Sequence, residues 1–199
     1  MALILRDVFL PSTVVEGDEF SAEVGGTVSM ALELYCHYWT AASDRDLPGW
    51  AAVHPGTYRH ADSRSVHELV GVAVPTEHVW STGWTLDAAG LLLYVDQAPG
   101  SNDLEAAVSK VHRDPASQTG IPALGSAVRV KGRLSIAEDY VTSGSVPETT
   151  LLQRAIRPWS VRRMTLLERD GRHSDVPATG RWGANGIGYL LDLAETPLG

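Results

Sequence analysis

Three short segments of this chain recur in the same order further along it. Gly26-Thr27-Val28-Ser29-Met30-Ala31 is echoed by Gly132-Arg133-Leu134-Ser135-Ile136-Ala137, and Ser65-Val66-His67-Glu68-Leu69 by Ser160-Val161-Arg162-Arg163-Met164. A third pair closes each half: Thr82-Gly83-Trp84 leads to Gly90 and Asp96, and Thr179-Gly180 with Trp182 leads to Gly186 and Asp192. The offsets of 106, 95 and 96 to 98 residues are nearly constant, the pattern an internal duplication leaves. Short strands share a limited vocabulary, so chance resemblance is the competing explanation. On the duplication reading, one domain of 1–199 is built from pseudo-repeats 1–97 and 121–199 joined by a helix-containing connection at 98–120. The alternative is two small β domains.

Strand signals dominate. From Val28 to Trp39 the apolar residues Val28, Met30, Leu32, Leu34, Cys36 and Tyr38 fall on every second position, which predicts one long strand. Further strands are expected at 3–10, 19–24, 65–74, 77–86, 91–96, 126–137, 159–169 and 186–194, punctuated by Gly25-Gly26, Asp170-Gly171 and Asn185-Gly186. Glycine inside a strand pattern, as at Gly25, Gly26 and Gly132, marks a bulge or bend. Two helices are expected: one from Asn102 or Asp103 to Val111, and one from Pro147 to Ile156, stopped by Pro158. The fold expected is therefore mostly β, an antiparallel barrel or barrel-like sandwich with two short helices.

A chain of 199 residues, 44% hydrophobic and 20% charged, is an ordinary globular composition with ample length for a core. No apolar run reaches the length of a membrane span. Arg6 and Asp7 interrupt Met1-Ala2-Leu3-Ile4-Leu5 too early for a signal peptide, so a cytoplasmic location without membrane partners is expected. Cys36 is the only cysteine, which excludes an internal disulfide and reads as a small buried hydrophobe. The net charge of -8 is uneven: residues 1–97 carry 4 Arg against 13 Asp and Glu, whereas 98–199 carry 12 basic and 11 acidic side chains. Such asymmetry suits either differently solvated surfaces or a symmetric homo-oligomer in which acidic and basic halves meet.

The familiar catalytic signatures are missing. Gly183 to Gly188 is glycine-rich but precedes a strand, so it offers no helix N-terminus to a phosphate. His67-Glu68 begins like a metalloprotease motif, yet Gly71 stands where the second histidine belongs. His54, His60, Asp62 and His67 form a loose group, too loose to assign a metal, and no cofactor is implied.

Three sets of residues remain. Glu33, Tyr35, His37 and Trp39 would share the other face of the long strand, since side chains two apart point the same way. A carboxylate, a phenol and an imidazole there could handle a proton, with Trp39, Trp84 and Trp182 lining an apolar ligand. The six Trp and six Tyr against two Phe suit ligand cavities and interfaces equally. Arg129, Lys131 and Arg133 alternate with Val128, Val130 and Leu134, giving a cationic stripe for an anion. Val128 to Gly144 loosely resembles the first hairpin of an OB-fold single-strand binder, a likeness of fewer than twenty residues without a diagnostic motif. Overall acidity counts against nucleic acid.

The leading expectation is a β-barrel that binds an apolar small molecule, in its enzymatic version a cofactor-independent cyclase or isomerase using Glu33, Tyr35 or His37. The alternatives are a homo-oligomeric assembly protein and an OB-like binder of single-stranded nucleic acid.

Overall fold

A computed structural model describes residues 3–17, 20–43, 45–54, 65–75, 84–96, 120–137, 154–180 and 186–196. The protein is mostly β, with a closed five-stranded barrel and little helix. In chain order the elements are β1 (Ile4–Pro11), α1 (Ser12–Gly17), β2 (Thr27–Met30), β3 (Leu32–Ala41), β4 (Gly49–His54), β5 (Val66–Val74) and β6 (Trp84–Ala88). They continue with β7 (Leu91–Asp96), β8 (Ala127–Ile136), β9 (Arg157–Glu168), β10 (His173–Asp175) and β11 (Gly186–Glu195). Among the described residues no helix is long and apolar enough to cross a membrane.

The helix expected at 102–111 lies outside the described residues, and only Arg154 and Ala155 of the second are described as helical. The strand expected at 19–24 is reduced to a single bridge, Glu23 to Ala178. The long strand from Val28 to Trp39 is in fact two. The ladder breaks at Ala31, so β2 and β3 have different partners: β2 pairs antiparallel with β9, and β3 lies between β8 and β7.

The chain forms two compact units, residues 1–32, 53–66 and 134–199 in one and 33–52 with 67–133 in the other. Residues of both 1–97 and 121–199 contribute to each unit.

The second unit holds the barrel, β3–β7–β6–β5–β8 and back to β3. Antiparallel ladders join β5 to β6, β6 to β7 and β5 to β8. The Ala42 N–H donates to Ala127 O at 3.0 Å while Gly132 packs on Tyr35, so β3 also runs antiparallel to β8. An odd number of strands cannot close with antiparallel pairs alone. The neighbours β3 and β7 therefore run parallel, which corrects the expectation of an antiparallel barrel.

The interior follows from two-residue periodicity. His67, Leu69, Gly71 and Ala73 of β5 face inward across from Val128, Val130 and Gly132 of β8; β6 and β7 add Trp84, Leu86, Ala88, Leu91, Leu93 and Val95. The apolar side chains here are buried, and each full-sized one contributes roughly 1.5–3 kcal/mol relative to exposure. Gly132 serves close approach: a Cβ there would fall 2.3 Å from Tyr35 O, and one at Gly71 2.4 Å from Asp87 O. The β5–β8 ladder ends at the pair His67–Gly132.

In the first unit β11 pairs antiparallel with both β1 and β9, and β1 meets the end of β8 in parallel at Phe9 and Ser135. Because β11 occupies one edge of β9, β2 and β10 share the other, at Arg157–Ser160 and Thr165–Leu167. Trp159 is fully buried there, its indole N–H donating to Met30 O at 3.3 Å.

Candidate functional site

The strand directions of the barrel bring several features to one end. β3, β5 and β7 finish where β6 and β8 begin. Trp39 lies two residues before the end of β3 and Trp84 opens β6. Trp39 is buried, and its Nε1–H donates to Gly120 O at 2.8 Å. That bond ties segment 120–126 to β3, while Gly125 N–H donates to Ala73 O at 2.7 Å and ties it to β5. Trp84 is buried as well, and among the described residues its indole N–H meets no acceptor.

The rim of this end is apolar. Among the described residues of the barrel unit, the exposed large hydrophobic side chains are Leu47 at 85%, Leu124 at 56%, Ile121 at 55% and Val72 at 36%. Leu47 follows the end of β3, Ile121 and Leu124 precede β8, and Val72 stands near the end of β5, opposite Ala127. All four stand on segments that flank this end of the barrel, and contiguous exposed apolar surface there would mark a binding site where scattered single residues would need no explanation.

Beside the rim runs a network of ions. Arg129 pairs through Nη2 with Asp46 and through Nη1 with Glu68, and Lys131 Nζ lies 2.9 Å from Glu68 Oε2. Asp46 is aimed by its own turn, accepting from Ser43 N–H at 2.8 Å and donating its N–H to Ser43 O at 2.9 Å. The Ser43 N–H leads the effects that hold the Asp46 carboxyl below its usual range, with Arg129 adding to it against some desolvation. Burial pushes Glu68 upward, but hydrogen bonds and charge from Lys131 and Arg129 outweigh it and leave the carboxyl low. Lys131 also stands 5.9 Å from the centre of the Tyr38 ring. Two cations of the expected anion stripe are thus balanced by two carboxylates, and an incoming phosphate would have to displace them. Arg133, the third, is half-buried.

The row on β3 does not stay on one face. Leu32 and Leu34 are buried and Leu34 touches Gly132, yet Tyr38 stands with Lys131 on the Glu68 side and Trp39 is buried. The alternation slips by one residue between Leu34 and Trp39, as at a bulge. Glu33, Tyr35 and His37 are half-buried, separated from the buried Trp39 by this slip. Cys36 lies within it, and burial pushes its thiol up to about 12.

Trp182, His60 and Asp62 lie outside the described residues. His54 is exposed at the end of β4, while His67 is fully buried in the barrel. Among the described residues no three His, Cys, Asp or Glu side chains form a metal-binding group.

Sequence reasoning passed over the apolar rim, because an exposed leucine in a loop carries no signal until neighbouring loops meet. It also passed over a carboxyl pair in the first unit, where Asp7 N–H donates to Asp192 Oδ1 at 3.1 Å and Ser65 Oγ–H donates to Asp7 Oδ2.

Compared with protein families, with curated proteins and with solved structures, the chain has no match.

Proposed function

We propose that this protein binds an apolar small molecule at the Trp39–Trp84 end of its barrel. The observation that carries the reading is the rim: the exposed large apolar side chains described in this unit gather where β3 and β5 end and β8 begins. Eight strands give a barrel just wide enough for its own side chains, so a barrel of five holds a ligand at its end rather than inside. Leu47, Ile121 and Leu124 supply the contact area, and the Trp39 bond to Gly120 holds the segment that carries two of them. Binding, without a chemical step, is the function these residues support best; Glu33, Tyr35 and His37 are not among the rim residues.

The five-stranded closed barrel has the strand number of an OB-fold, which favours single-strand binding as a second reading. The pairing of Arg129 and Lys131 with Asp46 and Glu68 counts against it.

The test is a fluorescence titration with Nile red, a neutral apolar dye, alongside a labelled single-stranded oligonucleotide at low salt. Saturable dye binding that is lost in a Leu47→Asp, Leu124→Asp double variant of unchanged circular dichroism is expected. Failure of the wild type to bind the dye, or binding of the oligonucleotide alone, overturns the reading.

A further inference from the structure

We propose that Asp7 and Asp192, together with the Ser65 hydroxyl, form a latch on the β1–β11 seam that tightens in acid. Two strand irregularities place this pair. The β1–β11 register shifts between Leu5 and Val8, and the β11–β9 register shifts between Asp192 and Leu193. Asp7 occupies the first shift with a φ of 53°, a left-handed conformation that non-glycine residues adopt rarely and that aspartate tolerates better than most. Its N–H is thereby turned to Asp192 Oδ1 at 3.1 Å, while its own carboxylate accepts the Ser65 hydroxyl. Asp7 and Ser65 are buried, at 7% and 3% exposure, so water is a poor substitute for these partners.

The surrounding charges decide how Asp192 titrates. Arg6 approaches from β1, and Arg163 stands directly across the ladder on β9. Arg163 is itself committed to Asp175 of β10, at 3.0 Å through Nε and 2.9 Å through Nη2, and Asp175 also accepts from Thr165. α1, which packs on β1 and β11, adds the exposed Glu16. Exposed His173 shares β10 with Asp175, and Glu195 at the far end of β11 is paired with Arg157 at 2.7 Å. Burial and the like charge of Asp7 raise the Asp192 carboxyl above its ordinary value; the Asp7 N–H and the two arginines oppose this and do not cancel it.

On acidification a proton from solvent adds to the Asp192 carboxylate. The neutral acid still accepts the Asp7 N–H, and its charge repulsion with Asp7 ends. A carboxyl with a raised folded value binds its proton more tightly folded than unfolded. The seam therefore gains stability as pH falls through the range just above the ordinary aspartate value and loses it as pH rises. This direction is opposite to that of Asp46 and Glu68.

Amide hydrogen exchange on the full chain, corrected for intrinsic rates, tests this between neutral and mildly acidic pH. The opening equilibrium of the Val8–Leu10 and Leu190–Leu193 amides is expected to fall several-fold on acidification, while Asp192→Asn shows the tight seam at both pH values. Equal opening at both pH values in the wild type, or an undiminished pH response in Asp192→Asn, overturns the proposal. Should that variant not fold, the carboxyl carbon shift of Asp192 in the wild type decides: titration above the ordinary aspartate value supports the latch, and titration at or below it removes the basis for one.

Discussion

Glu68 on β5 stands directly across the ladder from Lys131 on β8, and one carboxylate serves two cations, Lys131 through Oε2 and Arg129 through Oε1. The pair is largely shielded from solvent, with 12% of the Glu68 side chain and 29% of Lys131 exposed. Glu68→Gln removes the shared charge and leaves both cations with weaker partners. A loss of about 1–2 kcal/mol is expected, between the exposed and buried limits for ion pairs. Glu68 is held below its usual range when folded, so this stability is present above the ordinary glutamate value and disappears as pH falls through the folded one. Urea denaturation from neutral to acidic pH should show the difference between wild type and variant shrinking in acid.

At Gly132 the backbone of β8 comes close to β3. A methyl group there would meet Tyr35 O at 2.3 Å and Leu34 Cγ at 3.0 Å, and the first is backbone that cannot rotate away. Gly132→Ala is expected to lower stability by about 2–3 kcal/mol, at the upper end for overpacking, and urea midpoints with unchanged m-values would establish it.

The β6–β7 hairpin turns on Ala89 and Gly90, both at positive φ, 57° and 86°, the signature of a type I′ turn. Asp87 Oδ1 already accepts the Gly90 N–H at 2.7 Å. Alanine is poorly suited to the first turn position and asparagine well suited. Ala89→Asn should stabilise the protein by about 0.5–1 kcal/mol, read as a rise in thermal midpoint.

Cys36 should behave as an inert thiol. With burial holding it at about 12, almost no thiolate exists at neutral pH, and the thiolate is the nucleophile. Reaction with an aromatic disulfide reagent is expected to be far slower in the native protein than after denaturation. Equal rates would contradict the burial of β3.

The inward and outward faces of β8 are legible from alternation alone, because Val128, Val130 and Leu134 are buried while Arg129, Lys131 and Arg133 between them are not; β5, where Leu69 and Val70 are both buried, shows no such alternation. On β3 the same rule failed. A slip of one residue is invisible in a pattern where Cys36, His37 and Tyr38 suit either face, so alternation alone puts Trp39 with Glu33, Tyr35 and His37. Ala31 gave no sign of a break either, since nothing local distinguishes a strand that changes partners from one that continues.

Local pattern makes this chain mostly β and sets strands at 3–10, 65–74, 91–96, 126–137, 159–169 and 186–194, each bound within two residues of the observed one, since two-residue periodicity and turn residues act over a few positions. Which edges meet is a different question. Packing between distant segments is what closes five strands with β3 parallel to β7, brings the Leu124–Gly125 turn to Ala73, and lets Asp7 reach Ser65, 58 residues away, and Asp192, 185 away. Backbone hydrogen bonds are alike at every strand edge, so pairing is selected by the summed fit of side chains distant in sequence, and no short window of residues contains that sum.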